Sequence, residues 1–161
     1  MDTLIPIAER IAERLKARGE KIAVAESSTG GLISAALLAI PGASAYFIAG
    51  GVVYTPKARG TLMALSKDDV VGMRSASEPY ALKLAQTARD RFGADWGLSE
   101  TGASGPTGNG YGDAAGHSCI AIAGATLELS LTIETGDTDR VRNMRAFAHE
   151  ALSLLERALT G

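Results

Sequence analysis

Ser27-Ser28-Thr29-Gly30-Gly31 places three hydroxyls and two glycines between the apolar tetrapeptide Ile22-Ala23-Val24-Ala25 and the apolar run from Leu32 to Ile40. A serine at such a turn is a candidate nucleophile, provided an adjacent group takes its proton. A helix start also leaves peptide N–H groups without intrahelical partners, and these favour a phosphate or a developing oxyanion. The plainer alternative is that Ser28 or Thr29 caps the helix while the glycines make the turn, and the pattern alone leaves both open. A second turn, Thr101-Gly102-Ala103-Ser104-Gly105-Pro106, follows another strand-like stretch. Open α/β sheets bind ligands where strand-end loops converge, so the two turns can frame one cleft; the alternative is a mobile surface loop. Gly-Ala-Ser-Gly is not a nucleophile elbow, which needs a residue on each side of the serine between its glycines.

The elements that must position these turns are legible in the periodicity. Ile7, Ile11 and Leu15 recur every four residues between Pro6 and Arg18, with Gly19 as a stop, which predicts an amphipathic helix. Ile22–Ala25 reads as a strand and Leu32–Ile40 as a buried helix ended by Pro41-Gly42. Tyr46 to Tyr54 reads as a second strand, in which Gly50-Gly51 marks a bulge or a close backbone approach, and a short helix is expected from Pro56. Ser77 caps a third main helix, whose Leu82, Ala85, Ala88 and Phe92 are expected to share its inward face. Trp96–Ser99 is a weaker strand candidate, leading into a long glycine-rich loop from Gly102 to Gly116. Ser118–Ala123 and the alternating Leu127, Leu129, Leu131 and Ile133 are expected to pair antiparallel, and a final helix runs from about Thr138 to Leu159. The expectation is one α/β domain over residues 1–161, a three-layer α/β/α sandwich around a mixed sheet.

Composition narrows the function classes. With 46% hydrophobic and 21% charged residues the chain has the balance of a folded globular domain. No apolar run approaches the roughly 18 residues of a spanning helix, and Met1-Asp2-Thr3 does not open a signal peptide, so no membrane partner and a cytoplasmic location are expected. A net charge of −2 without a basic stripe argues against nucleic acid and for a small-molecule ligand. The single cysteine, Cys119, lies in an apolar run without a ligand set around it and reads as core.

Taken in order and spacing, Ala25-Glu26-Ser27-Ser28-Thr29-Gly30-Gly31, Pro41-Gly42-Ala43-Ser44-Ala45 and Thr101-Gly102-Ala103-Ser104-Gly105-Pro106 resemble the CinA C-terminal domain family over nearly the whole chain. Ser77-Glu78-Pro79, Gly136-Asp137 and Arg142 also resemble family positions. The resemblance implies an amidase that converts nicotinamide mononucleotide and water to nicotinate mononucleotide and ammonia, often as a homodimer, with no metal or cofactor. It also implies the standalone form of the domain, without the family's N-terminal nucleotide-hydrolase domain. By position it makes Ser27 the nucleophile and Tyr54 its proton-transfer neighbour. Ser28, Thr29, Gly30, Gly31, Thr101, Gly102, Ser104 and Gly105 become pocket residues. Arg142, at a helix start, is a candidate phosphate contact, the alternative being that Arg140, Arg142 and Arg145 form a solvated basic face.

Two departures stand out. The family carries a lysine five residues after the tyrosine; here Tyr54-Thr55-Pro56-Lys57-Ala58-Arg59 puts Arg59 there. Guanidinium stays charged in proteins, so Arg59 cannot serve as a base, although it can bind an anion. Lys57 becomes the candidate substitute if Pro56 reshapes the turn, with His117 a further candidate base. In the long loop a basic family residue is replaced by Asp113, and the earlier arginine of the Gly-Asp stretch by Thr138. The leading expectation is therefore hydrolysis of a nucleotide carboxamide by Ser27, with N–H groups near Gly30-Gly31 holding the oxyanion. The rivals are a nucleotide-binding module that lost its base and a same-fold hydrolase of another amide.

Overall fold

A computed structural model describes all residues, Met1–Gly161. Its elements are α1 (Ile5–Arg18), β1 (Ile22–Glu26), α2 (Leu32–Leu38), β2 (Phe47–Val52), α3 (Pro56–Met63), α4 (Glu78–Phe92), β3 (Trp96–Ala103), β4 (His117–Ala123), β5 (Glu128–Glu134) and α5 (Arg140–Thr160). The sheet order is β2-β1-β3-β4-β5, parallel across β2, β1 and β3 and antiparallel from β3 to β5. This is the mixed sheet of an α/β fold.

Helices cover both faces. On one, α1, α2 and α5 pack together over Ile22, Val24, Leu98, Ile120 and Ile122, joined by the fully buried Ile11, Leu15 and Leu152. On the other, α4 lies over β1, β3 and β4, where the sheet presents Ala23, Ala25, Cys119, Ala121 and Ala123. Small residues there let the helix come close: a Cβ added at Gly97 would stand 1.8 Å from the Ala85 carbonyl oxygen. The central strands β1 and β4 are buried at every position, whereas the edge strand β5 alternates exposed and half-buried, as a strand covered on one face must.

Two expectations shift, and one open alternative is decided. The α4 interior stripe is Tyr80, Ala81, Leu84, Ala85 and Ala88, while Leu82 is only half-buried and Phe92 is 38% exposed. The small-residue face is the one that fits the alanine-rich sheet, which turns the two larger side chains outward. The strand expected at Trp96–Ser99 continues to Ala103, paired with β4 as far as Ala103 opposite His117, so Thr101 and Gly102 belong to a strand and not to a loop. Gly50 marks a close approach, since its Cβ would lie 2.2 Å from Ser34 Oγ, and the register irregularity between β1 and β2 lies at Ile22/Ala23 instead.

Candidate functional site

The carboxyl ends of the parallel strands open into a two-lobed cleft. One lobe, about 290 Å³, is lined by Ser27, Tyr54, Arg59, Thr101 and Tyr111, among others. The other, about 200 Å³, is lined by Ser28, Ser104, Gly105 and Arg140. Tyr54, Gly102 and Asn109 belong to both lobes, so the two turns singled out from the sequence do frame one cavity.

Two buried carboxylates build the turn after β1. Glu26, fully buried at the end of β1, accepts from the N–H groups of Gly31 (2.8 Å), Ile33 (3.1 Å) and Ser34 (2.9 Å) and from the hydroxyls of Thr29 (2.8 Å) and Ser34 (2.7 Å). Glu100, equally buried on β3, accepts from the N–H groups of Ser27 (3.1 Å) and Thr29 (3.0 Å) and from the hydroxyls of Ser28 and Ser118 (2.9 Å), while the Thr29 hydroxyl oxygen, whose single hydrogen also faces Glu26, lies 3.0 Å away. Burial pushes the Glu100 carboxyl above its ordinary range, against the opposing pull of the Ser28 hydroxyl and the Thr29 and Ser27 N–H groups.

These bonds overturn the expected main-chain oxyanion site. The Gly31 N–H is taken by Glu26 and the Gly30 N–H by the Ser27 carbonyl at 3.0 Å, so neither is left for a ligand. Thr29 is fully buried with its hydroxyl between the two carboxylates, and Thr29, Gly30 and Gly31 line neither lobe. Ser27 is tied through its N–H while its side chain faces the first lobe. Ser28 lines the second.

Across the cleft, Tyr54 is 59% exposed, and Arg140 Nη2 donates to its hydroxyl at 3.2 Å while Arg140 Nη1 donates to the Gly105 carbonyl at 2.5 Å. Arg59 lines the first lobe from α3, with its Nε buried and unpartnered. Ser104 carries a second unpartnered buried atom, its hydroxyl oxygen, in the second lobe. Neither Arg59 nor Arg140 forms a salt bridge.

Two basic candidates fall outside. Lys57 is exposed at the start of α3 and lines neither lobe, because Pro56 opens a regular helix, capped by Thr55, that turns position 57 away from position 59. Arg142 is drawn away by Asp137, which it contacts at 2.7 and 3.0 Å, and by Asp139 at 3.6 Å. The arginine of this stretch that reaches the cleft is Arg140. His117 is also outside: Nδ1 lies 2.5 Å from Glu134 and Nε2 2.8 Å from the Ala76 carbonyl.

The long loop is fastened to the body. Asp113 receives Arg74 through both guanidinium nitrogens, at 2.5 and 3.0 Å, and the Asn109 amide at 2.8 Å. Asn109 in turn accepts from the N–H groups of Tyr111 and Asp113. The Asp113 carboxylate therefore holds the wall on which Asn109 and Tyr111 face the ligand space, and is itself spent on Arg74.

Glu26, Glu100, Arg140, Asn109 and Tyr111 belong to the site without having been candidates on sequence grounds. Glu100 carried a weak signal: a lone acid directly after a strand-like stretch, between Ser99 and Thr101, must be paired if the strand continues and buries it. Arg140 carried none, since only the start of α5 separates it from Arg142.

The family model of the CinA C-terminal domain matches residues 4–159. The chain belongs to the CinA C-terminal domain family. A CinA-like protein of Anaeromyxobacter sp. (strain K) is 40% identical over 154 residues, covering 95% of this chain and 37% of that protein, so the chain spans little more than a third of the curated relative's length. Among solved structures, the competence/damage inducible protein CihA from Agrobacterium tumefaciens superposes with a TM-score of 0.89 at 30% identity, covering 98% of this chain and 96% of that one. A CinA superfamily protein from Enterobacter cloacae gives a TM-score of 0.89 at 26% identity, covering 97% and 92%. The CinA C-terminal fold thus extends over essentially this whole chain. No helix is long and apolar enough to cross a membrane.

Proposed function

We propose that this CinA-family domain hydrolyses the carboxamide of nicotinamide mononucleotide or a closely related nucleotide, with Ser27 as the attacking hydroxyl. The observation that carries the reading is the pair Arg59 and Arg140, two guanidiniums without salt-bridge partners, one in each lobe of a small cleft that also presents Ser27. Unpaired cations in a concave site favour an anionic ligand, and a guanidinium matches phosphate through two parallel hydrogen bonds. A compact molecule with a phosphate at one end and a reactive group at the other fits two joined lobes.

In this reading the Ser27 oxygen attacks the carboxamide carbon and ammonia departs. Because the Tyr54 hydroxyl accepts from Arg140, its own hydrogen is free to point into the cleft. Tyr54 then protonates the departing nitrogen, and the phenolate is held by the same guanidinium. Water hydrolyses the Ser27 ester to complete the reaction. No metal or cofactor enters this chemistry. The domain acts as a cytoplasmic homodimer, which sedimentation of the purified protein checks.

The absence of a titratable amine at position 59, with Lys57 turned outward, favours a second reading: a nucleotide-binding module without turnover. Ammonia release from nicotinamide mononucleotide, run beside Ser27→Ala with ligand-induced thermal stabilisation recorded on both, separates the two. Release lost in Ser27→Ala supports the amidase; stabilisation without release supports the module.

A further inference from the structure

We propose that Glu100, reached through the Ser28 hydroxyl, is the proton acceptor of this cleft. The inference rests on the Ser27 reading and supplies the base that position 59 lacks.

Ser28 is the connection between cleft and interior. It is only 4% exposed, yet it lines the second lobe, and its hydroxyl donates to Glu100 Oε1. No other group meets the requirement. Arg59 is permanently charged, Lys57 faces away, and both His117 nitrogens are engaged outside the cleft.

The hydrogen bonds around Glu100 are consistent with either protonation state. With the carboxylate ionised, Ser28 and Ser118 donate to Oε1 while the Ser27 and Thr29 N–H groups donate to Oε2. With a proton on Oε1, that oxygen donates back to the Ser28 oxygen, which frees the Ser28 hydrogen for the cleft. Ser118 can then turn to the Thr101 carbonyl, 3.4 Å away. Thr29 supplies a reason for the second state to be accessible. Its hydroxyl oxygen lies 2.8 Å from Glu26 and 3.0 Å from Glu100, but one hydrogen serves only one of them. When that hydrogen goes to Glu26, the ionised Glu100 Oε2 faces a lone pair, and neutralising the carboxylate by a proton on Oε1 weakens that repulsion. Burial acts in the same direction, raising the Glu100 carboxyl above its ordinary value and so making it a stronger proton acceptor.

The Ser27 oxygen bonds to the carboxamide carbon as its proton passes to the Ser28 oxygen, directly or through one cleft water, and the Ser28 proton passes to Glu100. The C–N bond breaks as Tyr54 protonates the amine, and Glu100 returns its proton through Ser28 and a water of the second lobe, which Ser28 and Tyr54 both line, to the Tyr54 phenolate. Water then bonds to the ester carbon, its proton taking the same route, and Ser27 departs with that proton.

The test uses a serine-directed fluorophosphonate, with the labelled residue located by mass spectrometry, beside ammonia release from nicotinamide mononucleotide. Ser27 in the intact protein should take the label, and Ser28→Ala should slow both labelling and kcat by about a hundredfold, with KM little changed. Ser118→Ala removes the other hydroxyl from the same Glu100 oxygen and should slow labelling far less, which separates proton transfer from structural support. Equal slowing in the two variants, undiminished labelling in Ser28→Ala, an intact protein that takes no label, or label on Ser28 itself would each overturn the proposal. Labelling that depends on Ser28 in a protein that releases no ammonia would sink the amidase reading and leave the proton path standing. If Ser28→Ala does not fold, the infrared band of a protonated carboxyl in the intact protein decides. It should grow as pH falls, in step with the loss of labelling, and a band that does not track labelling overturns the proposal.

Discussion

Arg140 Nη2 donates to the Tyr54 hydroxyl at 3.2 Å, joining the first turn of α5 to the end of the β2 segment across the mouth of the cleft. The contact fixes the direction of the phenolic hydrogen, so the two residues should fail differently. Tyr54→Phe should lower kcat for ammonia release by about a hundredfold with little change in KM. Arg140→Gln should raise KM as well. Arg142→Ala should leave both parameters near those of the intact protein, because Arg142 is engaged with Asp137 outside the cleft. A loss in Arg142→Ala as large as that in Arg140→Gln would show that the wrong arginine has been placed at the ligand.

Arg59→Lys tests what position 59 does. A guanidinium that binds an anion through a planar fork is imperfectly replaced by an ammonium, so KM should rise while kcat stays within about threefold. A jump in turnover would instead place the missing base at that position and remove the need for Glu100.

Glu26 is predicted to be a stability residue. Glu26→Ala strips the acceptor from three buried or half-buried N–H groups at the start of α2 and leaves Ser34 and Thr29 with fewer partners. At about 1–3 kcal/mol for each unsatisfied buried group, a loss of at least about 3 kcal/mol is expected in urea denaturation. A loss below about 1 kcal/mol would mean that water reaches the turn and replaces the carboxylate.

His117 sets a pH dependence. Burial alone would lower its pKa, but the Glu134 carboxylate, the Ala76 carbonyl and the Asp113 carboxylate, 3.6 Å away and itself bound to Arg74, raise it above the ordinary value; Cys119 Sγ, at 3.7 Å, completes its surroundings. A pKa higher in the folded than in the unfolded chain gives stability that is fully present below the unfolded value, about 6.5, and is lost as pH rises through the folded value. The Tm of the intact protein should therefore fall relative to that of His117→Gln as pH rises from about 6.5 through the folded value. Parallel Tm profiles would show that the ring is neutral throughout.

The fold was largely legible because its periodicities are simple. Apolar residues at helical spacing marked α1 and α5, and Ser77 with Gly93 bracketed α4. The α4 inward face was misjudged because leucine and phenylalanine look more buried than alanine, whereas the alanine floor over β4 takes Ala81 and Ala85, and Tyr80, Leu84 and Ala88 pack beside them over β1, which leaves Leu82 and Phe92 on the outer flank. At the site, the two turns could be picked out as strand-end loops rich in hydroxyls and glycines, whereas Tyr54, Arg59 and the role of Ser27 came only from the resemblance to the CinA family. Which donors remain free could not be picked out. The Gly30-Gly31 turn looks like an anion cradle until Glu26 and Glu100 are placed beneath it, and Glu100 arrives from a strand 73 residues away from Ser27 in the chain. Arg140 and Arg142 differ only in which one meets Asp137, a choice made by the first turn of α5.

Because the carboxylates beneath the turn take up most of its peptide donors, selection of a ligand passes to side chains on separate segments: Arg59 from α3, Arg140 from α5, and Asn109 and Tyr111 from the long loop. Those side chains can be exchanged without disturbing the turn, whereas a cradle made of main chain would tie specificity to the backbone itself. The architecture therefore separates the part of the site that must stay from the part that can drift, and a lineage can acquire a new substrate by altering the rim while the buried acids keep the serine in place.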